Sequence, residues 1–245
     1  LGDKRKLKAT SVNRTVASLR TLWRWLLHHG HVKRDVVSMI RSTKTPRRLP
    51  VFVPDSRMAE VVEGIKEDLA SGDFVRVRDA VVVVLFYTSG MRLAELHALN
   101  VGDISADFSH IRVLGKGRKE RIVPLIAPVQ EILKKYCGQK SSQNICIDQK
   151  KALILSQKGE RINRRMVQRI VDRVLKESGI QGRTSPHVLR HTFATHLLNY
   201  GSDLREIQEL MGHSSLRATQ VYTHLDIVKL KEAYATAHPR ERDKR

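Results

Sequence analysis

Acidic, aromatic and sulfur-containing side chains are all scarce in this sequence of 245 residues. Only 25 Asp and Glu residues stand against 45 Lys and Arg residues, which gives a formal net charge of +20. A folded chain with that imbalance repels itself unless a polyanion neutralises it. The shortage of acidic residues therefore makes nucleic acid the leading candidate partner.

Long apolar runs are also missing. The longest one, 80–87, is far too short to cross a bilayer, and no polybasic segment adjoins a strongly apolar helix face. We therefore expect no membrane partner and a cytoplasmic location. The basic residues are interleaved with regular apolar patterns, so we expect the charge on a folded body and not in low-complexity tails.

Cysteines and metal-binding patterns are equally sparse. Cys137 and Cys146 lie outside any CxxC spacing, which is typical of reduced thiols in a cytosolic protein, with a disulfide between them as the alternative. His187 and His191 have the i, i+4 spacing of helical zinc sites, but no glutamate follows His187 as in HExxH and no third ligand is evident. We expect no metal and no other cofactor.

The first part of the chain predicts a small helical unit. Apolar residues at helical spacing indicate a helix at 10–29 and a short second helix at 35–41, which together make a thin core. The sequence begins with Leu1, and we expect this unit to be the end of a larger helical domain. Three prolines and the lack of a helical period place an inter-domain linker at 45–54.

The rest of the chain predicts a mainly α fold with a small antiparallel β-sheet. Apolar and polar residues alternate at 110–114 and 120–125 around the glycine-containing GKGRK, which indicates a β-hairpin that a short strand near 103–105 joins. The predicted helices are 55–70, 74–89, 92–99, 128–137, 163–178, 186–200, 203–211, 215–222 and 226–237.

Several polar residues stand where they could serve chemistry as well as structure. His187 and Arg190 leave one face of a helix near its N-terminus, which suits a phosphate, although an idle surface pair has the same spacing. Arg92 follows a very apolar helix, and Glu95 can pair with it and hold its guanidinium group. Lys116 is either a solvated turn residue or a probe of a DNA groove.

Tyr222 lies at a polar helix end, where an aromatic side chain is most often a core anchor. A nucleophilic role would require a phosphate-binding group of side chains nearby. His191 and His196 are expected to serve packing or backbone contacts. Taken one at a time, none of these residues decides the function.

Taken together, the motifs TSGMRLAEL, LGKGRKERIVPL, SPHVLRHTFATHL, MGHSS and TQVYTH closely resemble the tyrosine recombinase family in order and approximate spacing. The likeness covers 54–238 and is greatest to the Xer-type chromosome-dimer recombinases. By this resemblance the catalytic residues are Arg92, Lys116, His187, Arg190, His213 and the nucleophile Tyr222, with Glu95 in support.

The resemblance also implies a domain organisation and partners. It implies a remnant of a helical, SAM-like core-binding domain at 1–44 and a tyrosine recombinase catalytic domain at 55–245. Its implied partners are double-stranded DNA with a dif-like site and a homo- or hetero-tetramer with a sister recombinase, and an FtsK-like translocase is a further candidate. The residues expected to contact DNA are Arg47, Arg48, Lys116, Arg118, Lys119, Arg164 and Arg165.

Cleavage of a phosphodiester without a metal needs neutralised phosphate oxygens, a nucleophile and an acid for the leaving group. The implied set supplies all three, and it leads to a 3′-phosphotyrosyl intermediate and a Holliday junction. The alternatives are an integrase of a mobile element, a type IB topoisomerase and a DNA-binding protein with an idle pocket. The helix at 226–237 is expected to dock on a neighbouring subunit, or else on its own domain.

Overall fold

The computed structural model describes residues 9–44, 52–142, 150–182, 184–204, 207 and 211, without the side chains of 116 and 140–142. The chain divides into two compact units, Leu1–Leu49 and Pro50–Arg245. This division falls inside the predicted linker, and the assignment of the first unit to a core-binding domain stays a prediction. None of the described helices is both long and apolar enough to cross a membrane.

The first unit is built on helix α1, Ala9–His28, close to its predicted bounds. The helix ends where Gly30 takes the left-handed conformation with φ of 73°. The N–H of Gly30 donates to the Leu27 carbonyl at 3.1 Å, and the N–H of His31 donates to the Leu26 carbonyl at 2.9 Å. This pair of bonds is a Schellman motif, so a glycine placed just past the helix fixes its end.

The predicted second helix at 35–41 is wrong, because this segment forms only a turn. The Asp35 carboxylate accepts hydrogen bonds from the backbone N–H groups of Val37 at 3.1 Å and Ser38 at 2.9 Å. These are the bonds of an Asx-turn, which a helix N-cap also makes, and here the chain continues as a turn.

Helix α3, Phe74–Ser89, is the centre of the second unit, and it has its predicted bounds. Every residue from Val77 to Ser89 is buried, as expected for a helix that is apolar nearly all round. The helices that pack against α3 are α2 (Asp55–Ala70), α5 (Ala127–Ser142), α6 (Arg164–Glu177) and α7 (Pro186–Asn199).

The predicted β-hairpin is confirmed. Strands β1, His110–Leu114, and β2, Glu120–Pro124, pair antiparallel with Val113 opposite Arg121. In the connecting turn, Gly117 and Arg118 take left-handed conformations with φ of 75° and 58°. The strand predicted near 103–105 is reduced to a single bridge between Ile104 and Ile111.

Helix α4, Leu93–Ala98, follows α3 directly and carries the first predicted catalytic motif. Within the predicted helix 203–211, Leu204 and Ile207 are helical. The predicted helices 215–222 and 226–237 lie outside the described residues. The fold class, mainly α with a small antiparallel sheet, is confirmed by the described part of the chain.

Helix α7 is held to the segment that precedes α2 by buried polar groups. The hydroxyl of Thr192 accepts a hydrogen bond from the Val53 N–H at 2.8 Å, and Nε2 of His196 lies 2.9 Å from the Val53 carbonyl. The Tyr87 hydroxyl on α3 lies 3.1 Å from Nδ1 of His196. His196 therefore serves packing and backbone contacts, as predicted from its sequence position.

The connection between α3 and α4 depends on Gly90. Its φ of 56° is left-handed, and its N–H caps α3 by donating to the Phe86 carbonyl at 3.1 Å. A Cβ atom at this position would lie 2.6 Å from Cδ1 of Phe193 on α7. Both the backbone conformation and the close approach of α7 require glycine here.

We expect Gly90→Ala to lower the free energy of unfolding by about 3 kcal/mol, since it combines a strained left-handed backbone with an overpacked contact. Urea denaturation followed by circular dichroism measures the difference. Gly72→Ala is the matched control, because Gly72 has a φ of 70° but an added Cβ would meet no atom of the described residues within 4 Å beyond its chain neighbours. It should lose only about 1 kcal/mol, and an equal loss in both variants would contradict the role given to Phe193.

Candidate active site

Arg92 stands at the N-cap of α4 and is held there by Glu95. The backbone N–H of Arg92 donates to Oε2 of Glu95 at 2.9 Å, and its guanidinium Nη1 donates to Oε1 at 2.8 Å. The Arg92 side chain is 40% exposed, whereas that of Glu95 is only 5% exposed. The predicted pairing is therefore present, with a buried carboxylate that holds a guanidinium group facing solvent.

Arg121 on β2 is a second partner of Glu95 that is not among the residues predicted from the sequence. Its Nη2 donates to Oε2 of Glu95 at 2.7 Å, and its side chain is only 11% exposed. Arg121 and Val123 lie on the buried face of the hairpin, while Ile122 between them is exposed. The sequence ERIVP holds only part of the signal, because strand geometry puts Arg121 and Val123 on one face without telling which face is buried.

The Glu95 carboxyl group has a pKa below its ordinary value. Burial is the largest single influence and raises the pKa, but the hydrogen bonds from Arg121 and Arg92 together with the charge of Arg121 outweigh it. Glu95 is therefore ionised at neutral pH and supplies one full negative charge to the site.

Arg190 reaches the same place from α7. Its Nη1 donates to the carbonyl of Gly90, and its Nη2 donates to the carbonyl of Met211 at 2.8 Å. Gly90 lies two residues before Arg92, so this contact brings the second predicted catalytic arginine to the start of α4. A guanidinium group held by two carbonyls has a fixed orientation.

The charges around Arg190 make the site strongly positive. Burial lowers the pKa of Arg190 to about 10, and the positive charges of Arg92 and Arg121 contribute in the same direction against the opposing effect of Glu95. Among the described residues, three guanidinium groups therefore lie near a single carboxylate. This excess of positive charge is what an anion such as a phosphodiester would neutralise.

The hairpin turn begins beside this group of charges. A Cβ atom on Gly115 would lie 3.6 Å from Nη1 of Arg121 and 3.7 Å from Oε1 of Glu95. The backbone of Lys116 follows directly in the chain, and its side chain is not among the described parts of the structure. Arg118 and Lys119, predicted to contact DNA, are exposed on the same turn.

The remaining predicted residues fall into three groups. His187 is exposed in the first turn of α7, one turn before Arg190. Arg164 and Arg165 are exposed in the first turn of α6. The other four, His213, Tyr222, Arg47 and Arg48, lie outside the described residues.

The end of α4 lies close to the start of α6. Burial lowers the pKa of His97 at this end, and the positive charges of Arg164 and Arg161 lower it further. Within the described ranges, no group of three or more His, Cys, Asp and Glu side chains is placed to hold a metal ion.

We expect Glu95→Gln to lower the free energy of unfolding by about 3 kcal/mol at neutral pH, because it leaves the buried Arg121 charge without its counter-ion. The pKa of Glu95 is depressed by folding, so its contribution is complete above about pH 4.3 and is lost as the pH falls toward the lowered value. Urea denaturation between pH 3 and 7 should therefore show the gap between variant and parent narrowing in acid.

Glu131→Gln is the control, since Glu131 forms an exposed pair with Lys134 at 2.7 Å. It should change the free energy of unfolding by less than about 1 kcal/mol at every pH. A gap for Glu95→Gln that stays constant down to pH 3 would contradict the ion-pair explanation.

The chain is similar to known proteins in sequence and in fold. A family model described as "Phage integrase family" matches residues 59–228. The tyrosine recombinase XerC of Corynebacterium glutamicum is 40% identical over 238 residues, which cover 97% of this chain and 75% of that protein.

Solved structures extend the comparison. The XerA recombinase is 28% identical with a TM-score of 0.55, over 97% of this chain and 79% of that one. The XerH site-specific recombinase bound to difH substrate is 24% identical with a TM-score of 0.65, over 95% of this chain and 67% of that one, and this likeness concerns the fold alone. The chain belongs to the phage integrase family, and it is a tyrosine recombinase of the XerC type, as its motifs predicted.

Proposed function

We propose that this recombinase cleaves and rejoins DNA at a specific site through a covalent 3′-phosphotyrosyl intermediate. The observation that carries the proposal is the excess of positive charge around Glu95, whose carboxylate is bonded by Arg92 and Arg121 and lies within electrostatic range of Arg190. Two of these arginines come from motifs nearly 100 residues apart in sequence. A single backbone phosphate is the anion whose size and charge suit such a group.

Each implied catalytic residue has a role in one displacement at phosphorus. The hydroxyl oxygen of Tyr222 attacks the phosphorus atom while the bond to the 5′ oxygen breaks, and His187 receives or orients the phenolic proton. Lys116 gives a proton to the departing 5′ oxygen. Arg92, Arg190 and His213 stabilise the negative charge on the non-bridging oxygens.

The reverse of this step explains rejoining. The phosphotyrosyl ester keeps the bond energy of the cleaved phosphodiester, so a free 5′-hydroxyl from a second duplex can attack it and release Tyr222. Neither ATP nor a metal ion enters the balance of atoms and charges. Exchange of one strand pair gives a Holliday junction, and exchange of the second pair completes recombination.

We propose double-stranded DNA with a dif-like site as the substrate and a homo- or hetero-tetramer with a sister recombinase as the active assembly. The support is the 40% identity to a curated XerC and the net charge of +20. The exposed Arg118, Lys119, Arg164 and Arg165 are proposed to contact the DNA backbone. Resolution of chromosome dimers under the control of an FtsK-like translocase is the cellular role that we propose.

We expect Tyr222→Phe to abolish the covalent adduct on nicked suicide DNA and to leave salt-sensitive DNA binding intact, because only the nucleophilic oxygen is removed. Denaturing electrophoresis detects the adduct. An adduct that persists in the variant would exclude Tyr222 as nucleophile.

Linear exchange products would distinguish a recombinase from a topoisomerase, which yields relaxed plasmid only.

We expect Arg190→Lys to lower the single-turnover cleavage rate by about 10²–10³-fold, since an ammonium group cannot keep both carbonyl contacts and still face a phosphate. Arg165→Ala is the contrasting variant, and it should weaken DNA binding and make the slope of log K against log salt concentration less steep by about one. Its cleavage rate at saturating protein should not change. Equal effects of both variants on the saturated rate would contradict these assignments.

A further inference from the structure

We propose that Arg121 is a positioning residue for strand cleavage, and that it acts through Glu95 to fix Arg92 for the scissile phosphate. This inference rests on the proposed function of the same site. The arginine lies on strand β2, outside the six residues that the family motifs identify as catalytic.

The Glu95 carboxylate is fixed by three donors on two elements. Oε1 accepts from Nη1 of Arg92, while Oε2 accepts from the Arg92 backbone N–H and from Nη2 of Arg121. Arg121 is the one of these donors that comes from the hairpin. Its removal would leave the carboxylate bonded only to Arg92, free to turn and to draw the Arg92 guanidinium away from an incoming phosphate.

Packing alone does not account for an arginine at this position. Its cross-strand neighbour Val113 is fully buried, as is Val123 on the same face. Within the described part of the chain, Nε and Nη1 of Arg121 are buried without a hydrogen-bond partner. An apolar side chain would fill this place without leaving buried donors unsatisfied, so the bond to Glu95, and not packing, accounts for a guanidinium group here.

The Arg121 side chain also lies near both the hairpin turn that bears Lys116 and helix α4, whose N-cap is Arg92. Gly115, next to Lys116, is close enough that an added Cβ would lie 3.6 Å from Nη1 of Arg121. Glu95 in turn belongs to α4, whose N-cap is Arg92. Arg121 therefore lies beside the turn that bears the proposed general acid and is bonded to the helix that follows a phosphate-binding arginine.

The test compares Arg121→Met and Arg121→Lys with the parent chain. The measurement is the single-turnover rate of adduct formation on nicked suicide DNA at saturating protein, together with the DNA dissociation constant and the melting temperature. We expect Arg121→Met to cleave at least about ten-fold more slowly, as for loss of a group that orients a reacting residue. DNA affinity should stay within about two-fold, and Arg121→Lys should recover part of the rate because it restores a cation to Glu95.

Arg112→Met is the matched control on the neighbouring strand. Arg112 is 55% exposed and approaches Asp103 only to 3.7 Å, so its loss should leave the saturated cleavage rate unchanged.

Coupling is tested by combining Arg121→Met with Glu95→Gln, at a temperature where circular dichroism shows every variant folded. If Arg121 acts through Glu95, the double variant cleaves no more slowly than Glu95→Gln alone.

Three results would overturn the proposal. Arg121→Met could cleave at the parental rate, its effect could multiply with that of Glu95→Gln, or cleavage, DNA affinity and melting temperature could fall together in both Arg121 variants as for a structural role alone. A parent chain that forms no adduct on its DNA site is a different result, because it contradicts the proposed function itself.

Discussion

One buried carboxylate organises the site. Glu95 is 5% exposed and is shared between Arg92 on its own helix and Arg121 on the hairpin. A buried negative charge is costly unless cations and hydrogen bonds surround it, and here they also fix the geometry of a guanidinium group that faces solvent. Because Arg190 adds a third guanidinium, the described residues of the site carry more positive than negative charge.

The rest of the catalytic unit brings these groups together. The buried helix α3 ends at Gly90, whose left-handed turn and lack of a side chain let α7 approach through Phe193. The freed Gly90 carbonyl then accepts a hydrogen bond from Arg190. Gly90 thus ends α3, leaves room for α7 to pack closely, and orients Arg190 through its carbonyl group.

The sequence predicted most helices because their apolar period and end signals agree, as at Gly90, where the bounds of α3 came out unchanged. The second helix of the first unit failed because an aspartate that accepts these bonds can begin either a helix or an isolated turn, and the local sequence does not distinguish them. The pairing of Arg121 with Glu95 was not predicted, because it depends on which face of strand β2 is buried. That face is decided by the packing of the hairpin. Pairing of Arg190 with two carbonyls likewise depends on tertiary contacts that no local pattern encodes.

The central claim is that the positive charge around Glu95 receives one DNA phosphate. A crystal structure of the full chain bound to a duplex that carries its cleavage site tests this most directly. The account predicts non-bridging oxygens of the scissile phosphate about 2.7–2.9 Å from donors of both Arg92 and Arg190, with Arg121 still bonded to Glu95. A scissile phosphate bound away from these two arginines, or an Arg121 that has left Glu95 to contact the DNA, would contradict it.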